Sequence, residues 1–100
     1  MGDHYIGSYV MLPDGSVRQA PEILSHPNQQ IAFDCLYDTV VHTAFLGYNR
    51  FPDCDPPHCF ETMVFGGLMD SETETYTSLA AAKRGHEGWV EKVRGTLGFA

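Results

Sequence analysis

A stretch near the C-terminus, from Leu79 to about Gly95, limits the possible folds more than any other part of the chain. The residues of one helical face recur in it at spacings of three and four: Leu79, Ala82, His86, Trp89, Val93 and Leu97, with Val90 alongside. This period predicts an amphipathic α-helix, and Ser78 just before it is a favourable N-cap. We expect Gly95 to end the helix, because glycine is preferred just past a helix terminus. A helix with one apolar face needs a second layer to cover that face.

Two strong strand candidates supply that second layer. Thr39 to Leu46 is rich in β-branched residues, and Phe60 to Phe65 is a largely apolar run that two glycines stop. Weaker signals for the same sheet are a strand over Ile31 to Leu36, a tight turn at Tyr37-Asp38 and a strand over Thr73 to Thr77. Gly85 lies beside the apolar face of the helix, so a close approach of the helix to the sheet would explain it.

The N-terminal part of the chain predicts a hairpin. Tyr5 to Leu12 is rich in β-forming residues, Pro13 to Ser16 is a turn sequence, and Val17 to Ala20 can return as a second strand. Pro21 to Gln30 is expected to be a connection. Gly47 to Cys59 is the longest predicted irregular stretch, because its three prolines cannot donate to a strand ladder.

These elements predict a single α+β domain over residues 1–100, with an antiparallel sheet of four to five strands and one C-terminal helix packed on one face. One hundred residues is the usual size of one domain. Thr39 to Leu46 carries apolar side chains on both alternating faces, and only one helix is available to cover them. The uncovered face or an edge strand is therefore expected to meet a second copy or a partner, and we predict a homodimer.

Charge and composition limit the partners and the location of the protein. The chain has thirteen acidic and six basic residues, a net charge of −7, and no basic run longer than Lys83-Arg84. Direct binding to nucleic-acid phosphates or to an anionic membrane is disfavoured, because both need clustered basic residues. No signal peptide or membrane span is recognisable, and three cysteines, an odd number, suit a reducing compartment. We expect a cytoplasmic location.

A candidate metal or thiol site lies in the segment Asp53-Cys54-Asp55-Pro56-Pro57-His58-Cys59. Zinc knuckles place two ligands two residues apart, whereas Cys54 and Cys59 are farther apart and the segment has no such pair. His58 and Cys59 are adjacent, and neighbouring residues of an extended chain point to opposite faces. We therefore predict neither a metal nor another cofactor, and an enzyme that uses a metal or a thiol in this loop remains an alternative.

His86 and Glu61 are the other candidate site residues. His86 lies on the apolar face of the helix, where we expect it to bond a backbone carbonyl or a strand side chain such as Glu61 or Thr62. Glu61 either faces solvent or shares a face with Met63 and Phe65, and in the second case it needs a partner. No nucleophile accompanies His86, so the protein is expected to be non-catalytic.

Three segments resemble a set of short proteins encoded in bacteriophages and prophages: Val40 to Gly47, the Phe-Glu-Thr-Met-Val-Phe-Gly-Gly segment at 60–67, and Tyr76 to His86 with its Gly-His pair. The resemblance covers the C-terminal part of the chain, which departs from the set at Leu79 and Ala81. It implies a phage origin and a bacterial host, and it carries no assigned activity.

The favoured hypothesis is a small acidic phage-type protein that acts by binding, for example by inhibiting a host defence protein. An alternative is an oligomeric sponge for a small nucleotide signal, in which Arg18, Arg50, Lys83 or Arg84 would converge on phosphates. The candidate binding residues are Tyr48, Asn49, Arg50, Phe51, Asp53, Asp55, His58, Glu61 and His86. Most of them lie in the irregular loop, which we expect at the rim of the sheet as a binding surface.

Overall fold

The structure, a computed structural model, describes residues 8–20 and 29–98. The first residues of the predicted strand over Tyr5 to Leu12, and most of the predicted connection over Pro21 to Gln30, lie outside these ranges. The strands are β1 (Tyr9–Met11), β2 (Val17–Gln19), β3 (Gln29–Leu36), β4 (Thr39–Phe45), β5 (Phe60–Phe65) and β6 (Thr73–Tyr76), and the helix is α1 (Leu79–Thr96).

The strands form two antiparallel sheets. β3, β4, β5 and β6 make a four-stranded sheet in that order, and β1 pairs with β2 in a separate hairpin. The predicted α+β architecture with one C-terminal helix is confirmed. Gln29 and Gln30 were predicted to lie in a connection, but they pair with Phe45 and Ala44 and begin β3. Pairing with β4 outweighs the weak intrinsic preference of glutamine for a strand.

The register of β4 and β5 decides which side chains the helix covers. Three buried pairs share the helix-facing side of the sheet: Val41 with Val64, Thr43 with Thr62, and Phe45 with Phe60. Residues directly opposite each other point to the same face and contact one another. The two apolar pairs belong to different core clusters. Phe45 and Phe60 pack with Tyr76 in the first cluster, and Val41 and Val64 pack with Trp89 and Val93 in the second. The threonine pair lies between these clusters in the register.

The helix begins as predicted but ends later than predicted. The Ser78 hydroxyl accepts a hydrogen bond from the Ala81 backbone N–H at 3.1 Å, which satisfies one of the free donors of the first turn. Gly95 was expected to end the helix, but it lies inside it; the C-cap is Leu97, and Gly98 follows with a φ of +83°. The prediction was wrong because Leu97 packs against the second core cluster, and this contact keeps the chain helical beyond Gly95. Gly98 then takes the left-handed conformation that terminates many helices.

Candidate functional site

His86 connects the helix to two strands through both of its ring nitrogens. Nδ1 lies 2.7 Å from the Thr43 hydroxyl on β4, and Nε2 lies 2.7 Å from Oδ2 of Asp34 on β3. The expectation that His86 bonds a strand side chain is confirmed, but Glu61 and Thr62 are not its partners. Glu61 pairs with Ala44 on the opposite face of the sheet, and Thr43 stands between Thr62 and the ring.

The contacts of His86 continue across the sheet. The hydroxyls of Thr43 and Thr62 are in contact, and the Tyr76 hydroxyl lies 3.0 Å from Thr62 Oγ1 and 3.1 Å from Glu74 Oε1. Trp89 Nε1 donates to the same Glu74 oxygen at 2.9 Å. We call this hydrogen-bonded chain the polar row; its members are Asp34, His86, Thr43, Thr62, Tyr76 and Glu74. It runs from one edge strand to the other beneath the helix.

The polar row contains a carboxylate, an imidazole and a hydroxyl in series, which are the groups of a hydrolytic triad. Thr43 is 0% exposed and His86 is 3% exposed, so no substrate reaches the hydroxyl in this conformation. Burial also raises the pKa of the Tyr76 hydroxyl to about 12, which keeps it a donor at ordinary pH. Among the described residues, no buried side-chain nitrogen or oxygen lacks a hydrogen-bond partner. The row therefore fixes the helix on the sheet rather than presenting a reactive group.

The face of the sheet opposite the helix carries exposed aromatic residues among the parts of the chain that the structure describes. Phe33, His42 and Met63 form one row across β3, β4 and β5, and Val40 and Phe65 pair in the next row. The Phe33 side chain is 53% exposed and that of Phe65 is 47% exposed, while Val40, His42 and Met63 are half-buried between them. We call these five residues the open-face patch. Phenylalanines left exposed beside other apolar side chains are typical of a binding site.

The loop between β4 and β5 is held in place by Asn49. Its Oδ1 accepts the backbone N–H of Phe51 at 3.1 Å and of His58 at 2.8 Å, and its Nδ2 donates to the Cys54 carbonyl at 3.0 Å. Asn49 is itself buried, and the backbone N–H of Arg50 adds a bond to the His58 carbonyl. The predicted irregular stretch is thus a defined structure.

This loop contacts one end of the open face. Arg50 forms an ion pair of 3.7 Å with Glu61, and His58 Nδ1 lies 2.9 Å from the Thr75 hydroxyl. Glu61 and Thr75 are opposite each other on β5 and β6, on the same face as the patch. The exposed Phe51 ring lies 5.5 Å from both the Arg50 guanidinium carbon and the His58 ring centroid. Glu61 therefore shares the face of Met63 and has the partner that its half-buried position requires.

The candidate metal ligands of the loop differ in environment. Cys54 is exposed, whereas Cys59 is 0% exposed and belongs to the first core cluster. Burial raises the pKa of the Cys59 thiol to about 11, so the thiolate that a metal or a nucleophilic mechanism requires is disfavoured. No group of three or more Cys, His, Asp or Glu side chains suited to a metal ion occurs within residues 8–20 and 29–98.

The fold places the candidate binding residues of the sequence analysis in separate parts of the molecule. Five of them, Asn49, Arg50, Phe51, His58 and Glu61, meet where the loop contacts the open face. Asp53 and Asp55 are exposed in the same loop, Tyr48 bridges to Ser8, and His86 is buried under the helix. Phe33 and Phe65 were missed as site residues. Alternation was a usable signal only for Phe65, which follows the buried Val64 on β5, because the neighbours of Phe33 on β3 are half-buried or exposed.

The basic residues of the nucleotide-sponge hypothesis are not gathered within one chain. Arg50 is paired with Glu61 on the open-face side, and Lys83 lies near the start of the helix, beside a cavity of about 430 Å³ that Asp14, Ser16 and Ser78 also line. Arg18 lies on β2 and Arg84 on an exposed part of the helix. A phosphate site from these residues would need a second chain.

No protein-family model matches the chain, and neither a curated protein nor a solved structure matches it. Within the described residues, no helix has the length and apolar character needed to cross a membrane.

Proposed function

We propose that this protein acts by binding another protein through the open-face patch, without catalysis. The observation that carries the proposal is the exposure of Phe33 and Phe65 on the sheet face that the helix leaves free. Because each ring is about half exposed, leaving it in water forgoes on the order of 1 kcal/mol of burial for each ring. A partner that covers them recovers this free energy on binding.

The surroundings of the patch support binding rather than chemistry. The hydrogen bonds of Asn49 hold the loop in one conformation at one end of the face. The loop therefore loses little conformational entropy when a partner binds. The side chains with catalytic potential, His86 and Thr43, are buried on the other side of the sheet.

The homodimer and the host partner remain predictions. A second copy could dock on the patch itself or on the outer edges of β3 and β6, each of which pairs with only one neighbour among the described strands. The resemblance to short phage proteins would make a bacterial host protein, such as a defence factor, the partner of the patch.

Selection from a random peptide library followed by NMR tests the proposal. Bound peptides should perturb the backbone amides of β3, β4 and β5 around the patch. The double variant Phe33→Ser/Phe65→Ser should lose this binding, whereas Leu68→Ser, which removes an 86% exposed apolar side chain in the β5–β6 turn, should keep it. Peptides that perturb only the outer face of the helix, or that bind the double variant equally well, would refute the proposal.

A further inference from the structure

We infer that the partner of the open-face patch is a basic amphipathic segment, an apolar stripe flanked by lysine or arginine residues. This inference rests on the proposed function and names the chemistry of the partner. It is drawn from the shape of the patch and from the charges at its two ends.

The patch has the width of a helix. Phe33 on β3 and Phe65 on β5 stand on either side of β4, whose residues Val40 and His42 form the floor between them. Two strand spacings separate the outer strands by about 10 Å, which is close to the diameter of an α-helix with its side chains. The Phe33 ring also contacts the His42 ring edge-on, with 6.2 Å between the ring centroids. One apolar helical stripe therefore fits between the two phenylalanines.

The turn end of the patch is acidic. Asp38 lies in the β3–β4 turn just before Thr39 and Val40. Asp70 lies in the β5–β6 turn and accepts the Gly66 backbone N–H at 2.6 Å, immediately after Phe65. Glu72 is exposed in the same turn, and its backbone carbonyl bonds the N–H of Val64. None of these carboxylates has a basic partner among the described ion pairs.

The loop end of the patch is acidic as well. Glu61 lies on the open face itself, and Asp53 and Asp55 are exposed in the loop that borders it. Arg50 is the one basic residue of this loop, and its guanidinium is engaged with Glu61. A partner that lies across the patch thus has carboxylates near both of its ends.

The basic residues of the chain lie mostly on the other layer. Four of the six, Lys83, Arg84, Lys92 and Arg94, belong to the helix and are exposed. One of them, Arg94, also lines a cavity with Cys35, Leu36 and Tyr37 beside the β3–β4 turn. A partner that approaches the open face therefore meets a negative field, which speeds the association of a positively charged segment. A second copy would bring the same acidic ends against each other, which favours a basic partner over self-association at this face.

Matched helical peptides test the inference. The probe is a synthetic 18-residue amphipathic helix with a leucine and phenylalanine stripe and lysine flanks, and its controls carry glutamine or glutamate flanks on the same stripe. Calorimetry should show that the lysine peptide binds about tenfold or more tightly than the glutamine peptide, that the glutamate peptide binds least, and that salt reduces the difference. Asp38→Asn/Glu72→Gln should weaken lysine-peptide binding several-fold, whereas Glu87→Gln/Glu91→Gln on the outer helix face should not.

The outcomes separate this inference from the proposed function. Equal binding of the lysine and glutamine peptides at the patch, abolished by Phe33→Ser/Phe65→Ser, would overturn the basic partner and leave the binding surface intact. No binding of any peptide at the patch in a monomeric protein would overturn both. A concentration-dependent dimer that protects the patch amides would overturn the basic partner in favour of a second copy.

Discussion

The ring of Tyr76 packs directly against the backbone of the helix at Gly85. A β-carbon at this position would overlap the ring and the hydroxyl oxygen of Tyr76. The absence of a side chain on Gly85 therefore lets the tyrosine reach Thr62 and Glu74 in the polar row. The close approach of the helix to the sheet, which the position of Gly85 predicted, is confirmed. The group of the sheet that contacts the helix there is the ring of Tyr76.

We expect Gly85→Ala to destabilise the protein by about 1–3 kcal/mol, because the added methyl group displaces the Tyr76 ring from a packed core. Gly88→Ala is the matched control, since nothing lies within 4 Å of its β-carbon position. Alanine there should stabilise the helix by up to about 1 kcal/mol. Urea unfolding of both variants measures the effect, and a Gly85→Ala protein as stable as the parent would contradict the packing.

Trp89 should make the largest single contribution of the helix to stability. The indole is 8% exposed in the second core cluster, so Trp89→Ala is expected to cost about 3–5 kcal/mol. Trp89→Phe keeps an aromatic ring and removes the hydrogen bond to Glu74, so its cost should be smaller, mainly the roughly 1 kcal/mol of that bond. Thermal unfolding tests this order, and an alanine variant that melts within a degree or two of the parent would show that the helix does not depend on the indole.

The three cysteines should differ in reactivity. Cys35 and Cys54 are exposed and Cys59 is buried, so a thiol reagent should modify two thiols quickly in the folded protein and the third only on unfolding. Quantifying the released chromophore before and after adding denaturant measures this. Rapid modification of all three thiols under native conditions would contradict the burial of Cys59.

Stability should fall at alkaline pH. The pKa of Cys59 is raised from an ordinary 9.0 to about 11, and that of Tyr76 from 10.0 to about 12. Groups with a raised folded-state pKa contribute fully below the ordinary value and lose their contribution as pH rises through the folded-state value. We therefore expect the melting temperature to decline from about pH 9 upward, and less steeply in Cys59→Ala when each variant is compared with itself at pH 7.

The homodimer is tested by light scattering together with the patch variant. A dimer should give twice the chain mass of 11.1 kDa at micromolar concentration. Loss of the dimer in Phe33→Ser/Phe65→Ser would place the contact at the open face, and a dimer that persists in this variant would point to an edge strand, β3 or β6. A mass of 11.1 kDa that does not change with concentration would contradict the homodimer.

The sequence by itself was sufficient for the elements whose signals are local. The apolar period from Leu79 to Val93, the N-cap at Ser78 and the β-branched run at Thr39 to Leu46 predicted the helix and the central strand, because they depend on neighbours along the chain. Apolar residues on both faces of the Thr39 to Leu46 segment, with one helix to cover them, also predicted a face of the sheet that the helix does not cover. These features follow from backbone geometry and side-chain type, which the sequence states directly.

Only the tertiary structure decided which distant side chains meet. Thr43 and Asp34 become the partners of His86 because the strand register aligns them under the helix, and these residues are 43 and 52 positions away from it. The packing of Leu97 carried the helix past Gly95, and the side chain of Asn49 shaped a loop that the prolines had marked as irregular. Such contacts depend on register and on layer packing, and neither is encoded in any short stretch of the chain.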